Sequence, residues 1–244
     1  MRVVVDAARP SVARVFCADT GASGTGFCVT EDGHIVTCNH VVADLAFPSG
    51  VLSVSYSSDI RVTLDGVTYG ADLVTDPNDV EAVVYDYAVL QLRGASGVKA
   101  MPTMTLDDVE PGDDVLCLGY PLEFTDMVAT KGIVSALITR PSHINTVVVM
   151  DTILTDALIQ FGNSGGPMIH VPTGNAIGIN TLKHSTGEAG TVSRWVHDPG
   201  VTAVPGLLDL MNFALRYAHV GLNYAVAMRH VQASSAWPAI PGSN

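Results

Sequence analysis

Short apolar runs alternate with turn signals along almost the whole chain. In the first half, strands are predicted at Ser11–Cys17, Gly26–Val29, His34–Asn39, Val51–Tyr56, Arg61–Leu64, Val67–Val74 and Ala88–Leu92. In the second half they are predicted at Asp114–Gly119, Met127–Ile138, Thr146–Met150, Met168–His170, Ala176–Leu182 and Leu222–Ala227. Many short strands at this spacing point to an all-β barrel or sandwich. The stretch Arg93–Leu106 is interspersed with Gly, Ser and Pro, lacks periodicity and reads as a connector between two halves. One helix stands out, over Pro205–Tyr217. Asp209, Asn212, Arg216 and His219 fall on one narrow stripe and the rest is apolar, so most of its circumference is covered. The cover is either the domain's own surface or a partner.

Composition narrows the class. Of 244 residues 48% are hydrophobic and only 15% charged, and the formal net charge is -12. Mean hydropathy is +0.33. Disorder requires the opposite balance. Three Lys and nine Arg are scattered, so neither nucleic acid nor an anionic membrane surface is an expected partner. No apolar run reaches the ~20 residues of a membrane span, and Met1–Val5 is too short for a signal peptide. The cysteines, Cys17, Cys28, Cys38 and Cys117, have no metal-ligand spacing. A two-residue turn at Asp32-Gly33 would set residue 28 opposite residue 37, pointing Cys28 and Cys38 to opposite faces. Buried free thiols follow, with a lean to a reducing, cytoplasmic compartment.

The chemistry concentrates in Phe161-Gly162-Asn163-Ser164-Gly165-Gly166-Pro167. A serine bracketed by glycines can sit on a tight turn that exposes its hydroxyl. The same turn can aim the Gly162 and Ser164 amides at one point, as an oxyanion hole requires. An ordinary Gly-rich β-turn is the competing reading. The serine needs a base, and of eight histidines His40 alone ends an apolar strand, Ile35–Asn39. The base needs a carboxylate to hold its tautomer. Asp86 precedes the apolar run Ala88–Leu92, while Asp72, Asp76 and Asp79 compete from a polar loop. The order His, Asp, Ser is that of the trypsin-like arrangement.

The sequence resembles the trypsin-fold serine proteases, and within them the HtrA/Deg branch. The resemblance rests on Gly24–Phe27, Ile35–Val42, Asp86–Leu90, Leu118–Pro121, Gly132–Ala136, Thr155–Pro167, Ala176–Thr181 and Gly221–Val226. It implies two six-stranded antiparallel β-barrels, with His40 and Asp86 on the first (residues 1–98) and Ser164 on the second (99–231). Residues 232–244 form a Pro/Ser-rich tail that leaves no room for the PDZ domain usual in the branch. The stretch between His40 and Asp86 looks expanded, as does the loop between Thr181 and Leu222 that carries the predicted helix. Asp156 matches a family position and is expected to be structural.

By the same resemblance the substrate pocket is lined by Leu158, Ile159, Gln160, Phe161, Ile179, Asn180, Thr181 and Tyr224. Leu158 holds the base position, so cleavage is expected after small or medium aliphatic residues. The implied protein is a serine endopeptidase acting on peptide or protein, without metal or cofactor, and assembling as a trimer. The rival reading is a trypsin-fold binding or scaffold module, catalytically silent or latent until a partner or oligomer forms.

Overall fold

The computed structural model describes residues 1–46, 53–121, 124–142, 148–183 and 223–238. The predicted helix over Pro205–Tyr217 lies outside these residues.

Two closed six-stranded antiparallel barrels make up the fold. The first contains β1 (Val12–Cys17), β2 (Ser23–Cys28), β3 (His34–Thr37), β6 (Ile60–Leu64), β7 (Val67–Leu73) and β8 (Ala88–Leu92), in the order β1-β2-β3-β8-β7-β6. The second contains β9 (Asp114–Gly119), β10 (Val128–Pro141), β11 (Val149–Thr155), β12 (Pro167–His170), β13 (Asn175–Lys183) and β14 (Asn223–Ala227), in the order β10-β11-β14-β13-β12-β9. A small ribbon of β4 (Ala43–Ala46) and β5 (Ser53–Tyr56) follows the third strand.

The alternation of side chains explains how the barrels pack. Along β6, Ile60, Val62 and Leu64 are buried while Arg61 faces out. In β9 both faces are covered. Val115 and Cys117 enter the core of the second barrel with Ile153 and Met168. Leu116 and Leu118 enter a core shared with Phe27, Val36 and Leu90 of the first. The run Val-Leu-Cys-Leu is therefore apolar throughout because it lies on the seam between barrels, where a solvent-facing strand would alternate. The connector is stitched to both barrels: the Met101 amide donates to Cys28 O at 2.7 Å and that of Met104 to Ala176 O at 3.0 Å.

The β2–β3 hairpin departs from the expected register. Cys28 pairs with Ile35, and the Val29 amide donates to His34 O at 2.8 Å, so the connection is the four residues Thr30–Gly33. The Thr30 hydroxyl, the Asp32 carboxylate and the His34 ring interlock within it and stabilise the longer loop. The slip is two residues, an even number, so every side chain keeps its face. All four cysteines are free and buried.

Short helices lie at α1 (Arg2–Ala8), α2 (Asn39–Val42), α3 (Val80–Val84) and α4 (Met228–Gln232). Met228 and Val231 of α4, with Ala236 beyond it, pack into the shared core.

Candidate active site

Thr37 at the end of β3 pairs with Ala88 at the start of β8. The chain leaves the first strand and enters the second at the same place, which brings His40 and Asp86 together. After Thr37 the backbone turns into α2, whose Asn39 side chain is buried and donates to the Tyr56 hydroxyl at 2.8 Å. Ahead of β8, α3 begins at Asp79, whose carboxylate accepts the Glu81 and Ala82 amides as an N-cap. After Tyr85 the backbone enters the left-handed region at Asp86, with φ 57°, which swings the carboxylate back toward His40.

His40 Nδ1 lies 2.8 Å from Asp86 Oδ2 and 3.0 Å from Oδ1, and the His40 amide donates to Oδ1 at 3.0 Å. The Thr181 hydroxyl, from β13 of the other barrel, donates to Asp86 Oδ2 at 2.5 Å. Desolvation in the cleft opposes a charged imidazole, yet the Asp86 charge and hydrogen bond raise His40 above its ordinary value of 6.5. Desolvation likewise pushes the Asp86 carboxyl up. The His40 and Thr181 partners outweigh it and hold Asp86 below its usual 3.8.

The rival carboxylates are occupied elsewhere. Asp72 pairs with Arg93, Asp76 accepts the Asn78 amide, and Asp79 caps α3.

Ser164 sits on the turn between β11 and β12, and its hydroxyl donates to Thr181 O at 3.3 Å. Gly162 and Gly165 both take left-handed φ values, 95° and 88°. A Cβ on Gly165 would also overlap the Thr25 carbonyl oxygen and Thr37 Oγ1. The turn is thus pressed against the first barrel where only glycine fits. The Asn163 amide donates to Gln160 O and the Gly166 amide to Asn163 O, both at 3.0 Å. Among the described residues, neither the Gly162 nor the Ser164 amide has an acceptor.

Cys38 Sγ, His40 Nδ1 and an Asp86 oxygen lie within 4.8 Å of one another, a spacing that the ligands of a metal ion would also show. Burial and the Asp86 charge raise the Cys38 thiol well above its ordinary value, which opposes a thiolate ligand. The imidazole nitrogen already bonds to Asp86. The chemistry of the set therefore fits a His–Asp pair backed by a neutral thiol.

This geometry agrees with what similarity gives. Residues 24–179 match the model of the trypsin-like peptidase domain. The chain belongs to that family. It is 36% identical over 173 residues to the serine protease HTRA1 of Xenopus tropicalis, covering 68% of this chain and 32% of that protein. Identity to the mitochondrial serine protease HTRA2 of Bos taurus is 35% over 174 residues, covering 68% and 32%. A DegP-like periplasmic serine endoprotease of Chlamydia trachomatis is 37% identical over 163 residues, covering 65% and 28%. The solved HtrA-type protease AlgW with tripeptide superposes with a TM-score of 0.66 at 26% identity, over 93% of this chain and 59% of that one. The chain spans about a third of the length of these curated relatives. They include one named mitochondrial and one named periplasmic, so the cytoplasmic lean drawn from the cysteines has no support in them. Among the described residues no helix is long and apolar enough to cross a membrane.

Within this trypsin-like domain the expected pocket residues divide. Leu158, Gln160 and Tyr224 are half-buried, and Phe161 is exposed. Ile159 lies in the core of the second barrel, and Ile179 lies in the shared core. The Asn180 side-chain amide is buried and donates to Pro167 O at 3.1 Å. These three therefore offer no side chain to a substrate, which corrects the expected lining. Ile159 lies in the loop after β11, and Ile179 and Asn180 are consecutive on β13, which is covered on both faces there. Thr181, expected in the pocket, spends its hydroxyl on Asp86. Asp156 accepts the Ile133 amide at 2.7 Å, beside the bulge between Val134 and Ala136.

Sequence reasoning missed Thr25, whose hydroxyl donates to Gly162 O at 2.6 Å. It lies inside the Gly24–Phe27 segment, but no local pattern marks a contact 137 residues away.

Proposed function

We propose that the chain is a serine endopeptidase working through His40, Asp86 and Ser164. The observation that carries the reading is the bond from His40 Nδ1 to the Asp86 carboxylate, together with Thr181. That residue donates its hydroxyl to Asp86 and accepts the Ser164 hydroxyl on its carbonyl. With Nδ1–H donating to Asp86, Nε2 is the unprotonated face of the ring and serves as base. Ser164 Oγ releases Thr181 O, gives its proton to Nε2 and attacks the peptide carbonyl carbon. The carbonyl π pair moves to oxygen, and the Gly162 and Ser164 amides stabilise that charge. Collapse expels the amine, which takes the proton from Nε2. Water then repeats the sequence on the acyl-enzyme and regenerates the serine.

The half-buried, apolar Leu158 supports cleavage after small or medium aliphatic side chains. A peptide library cut chiefly after Arg, Lys or Glu would refute that preference. The homotrimer implied by the family resemblance is tested by sedimentation equilibrium. An unbroken Gly162–Gly166 turn and a formed His40–Asp86 pair argue against a silent scaffold. The deciding experiment is labelling with a fluorophosphonate. The wild type is expected to label and Ser164→Ala not to; a folded wild type that never labels would sink the protease reading.

A further inference from the structure

We propose that Thr25 is a positioning residue for the oxyanion hole, fixing the peptide after Gly162 from the opposite barrel. The inference rests on the protease reading above and concerns how the hole keeps its shape.

Thr25 is fully buried on β2. Its hydroxyl donates to Gly162 O at 2.6 Å and accepts the Tyr120 amide at 2.8 Å, just beyond the end of β9. Its own amide donates to Ser164 O at 2.8 Å. Its carbonyl accepts the Thr37 hydroxyl at 2.7 Å and is the nearest atom a Cβ on Gly165 would meet. One residue of the first barrel thus grips the nucleophile turn at Gly162, Ser164 and Gly165.

The consequence follows from peptide planarity. The Gly162–Asn163 peptide is bonded at both ends, its carbonyl by Thr25 Oγ1 and its N–H by Gln160 O. A planar unit held at both ends cannot rotate. The next peptide, which carries the Ser164 N–H, is held by the Gly166 amide on Asn163 O. Gly162, with φ 95°, has no side chain to restrict it, so the Thr25 bond is what opposes a flip at that residue. The held unit lies between the peptide that carries the Gly162 N–H and the one that carries the Ser164 N–H, so a flip of it would turn the two donors away from the common point that the oxyanion needs. The Gly162 carbonyl and Tyr120 amide both depend on this one hydroxyl, so losing it leaves two backbone groups unsatisfied.

Thr25→Val keeps the shape and removes the hydroxyl, and Thr25→Ser keeps the hydroxyl. In the folded Val variant kcat is expected to fall about 10- to 100-fold with KM within about twofold, less than the roughly 100- to 1,000-fold lost when an oxyanion donor itself is removed. Affinity for a peptide boronate, which mimics the tetrahedral intermediate, falls in parallel. The Ser variant stays within about threefold of wild type. A merely structural threonine would lower the melting temperature and leave kcat and boronate affinity of the folded fraction alone. That result overturns the proposal, as does a Ser variant impaired as badly as Val, or a loss confined to KM. If the Val variant does not fold, Thr25→Cys replaces it, and a folded Cys variant with full kcat overturns the proposal. Wild type and Ser164→Ala run alongside. An active wild type with an unaffected Val variant sinks this inference alone, whereas an inert wild type sinks the protease reading and this inference with it.

Discussion

The turn that presents Asp86 and the turn that presents Ser164 both put backbone in the left-handed region, but with different residues and restraints. Asp86 takes φ 57° without being glycine, a conformation tolerated only when the surroundings over-determine it. Those surroundings are side chains. Asp79 caps α3, Ser142 of the second barrel donates to Val84 O at 2.7 Å, and the Tyr85 ring stacks on His230 of α4 with centroids 4.2 Å apart. The Ser164 turn uses glycines at φ 95° and 88° and is held by close contact with Thr25 and Thr37 of the first barrel. Each barrel braces a turn of the other, the first the Ser164 turn and the second the Asp86 turn. The Asp86 turn is held by several replaceable contacts, and the Ser164 turn by close approach that admits no substitute.

The comparison predicts where the molecule breaks. The largest effect is expected from Asp86→Asn, about 10⁴-fold in kcat with the fold intact, because the amide favours the wrong imidazole tautomer. Steady-state kinetics with a melting curve checks it, and a loss under about tenfold would disconnect Asp86 from catalysis. Gly165→Ala comes next. It combines left-handed strain with overlap on Thr25 O, so urea titration should show about 4 kcal/mol of destabilisation or an unfolded chain. A wild-type midpoint would mean the seam is loose. Asp79→Ala removes one contact among several and should cost about 1 kcal/mol, with kcat changed far less than by Asp86→Asn. If it matched Asp86→Asn, the carboxylate turn would be as brittle as the other.

The smallest effect is the most diagnostic. His40 is raised above 6.5 by Asp86. The base must be neutral, so kcat/KM should rise with pH through one ionisation above 6.5 and then level. A raised folded-state value also means that His40 protonation favours the fold. That contribution is complete below 6.5 and is lost as pH rises through the folded value. A kinetic midpoint at or below 6.5 would show that the Asp86 partnership does not govern the ring.

Much of this was legible along the chain. Alternation and turn residues located strands close to β1–β3, β5–β10 and β12–β14, the strand expected at Thr146–Met150 reached only the first two residues of β11, and the glycines around Ser164 marked a turn that side chains cannot enter. The ribbon strand β4 and the four helices were missed. None of those helices exceeds seven residues, too short for a 3.6-residue period to declare itself. At α2 the expected strand His34–Asn39 runs two residues too far: the chain turns after Thr37, where burial of Asn39 and its bond to Tyr56 fix the bend. The register of the β2–β3 hairpin was missed by two because Asp32-Gly33 suggests the shortest turn. The bonds among Thr30, Asp32 and His34 favour a longer one.

By itself the sequence determined the period of the strands, the places where the backbone needs glycine, and the order of His40, Asp86 and Ser164. The first two depend on neighbours within a few residues, where spacing translates directly into geometry, and the order is read straight off the chain. Only the tertiary structure decided that Ile159 and Ile179 face cores, that Thr181 serves Asp86, and that Thr25 reaches Gly162. Those contacts join residues far apart in the chain. They are set by how two closed barrels pack along β9, which no local pattern encodes.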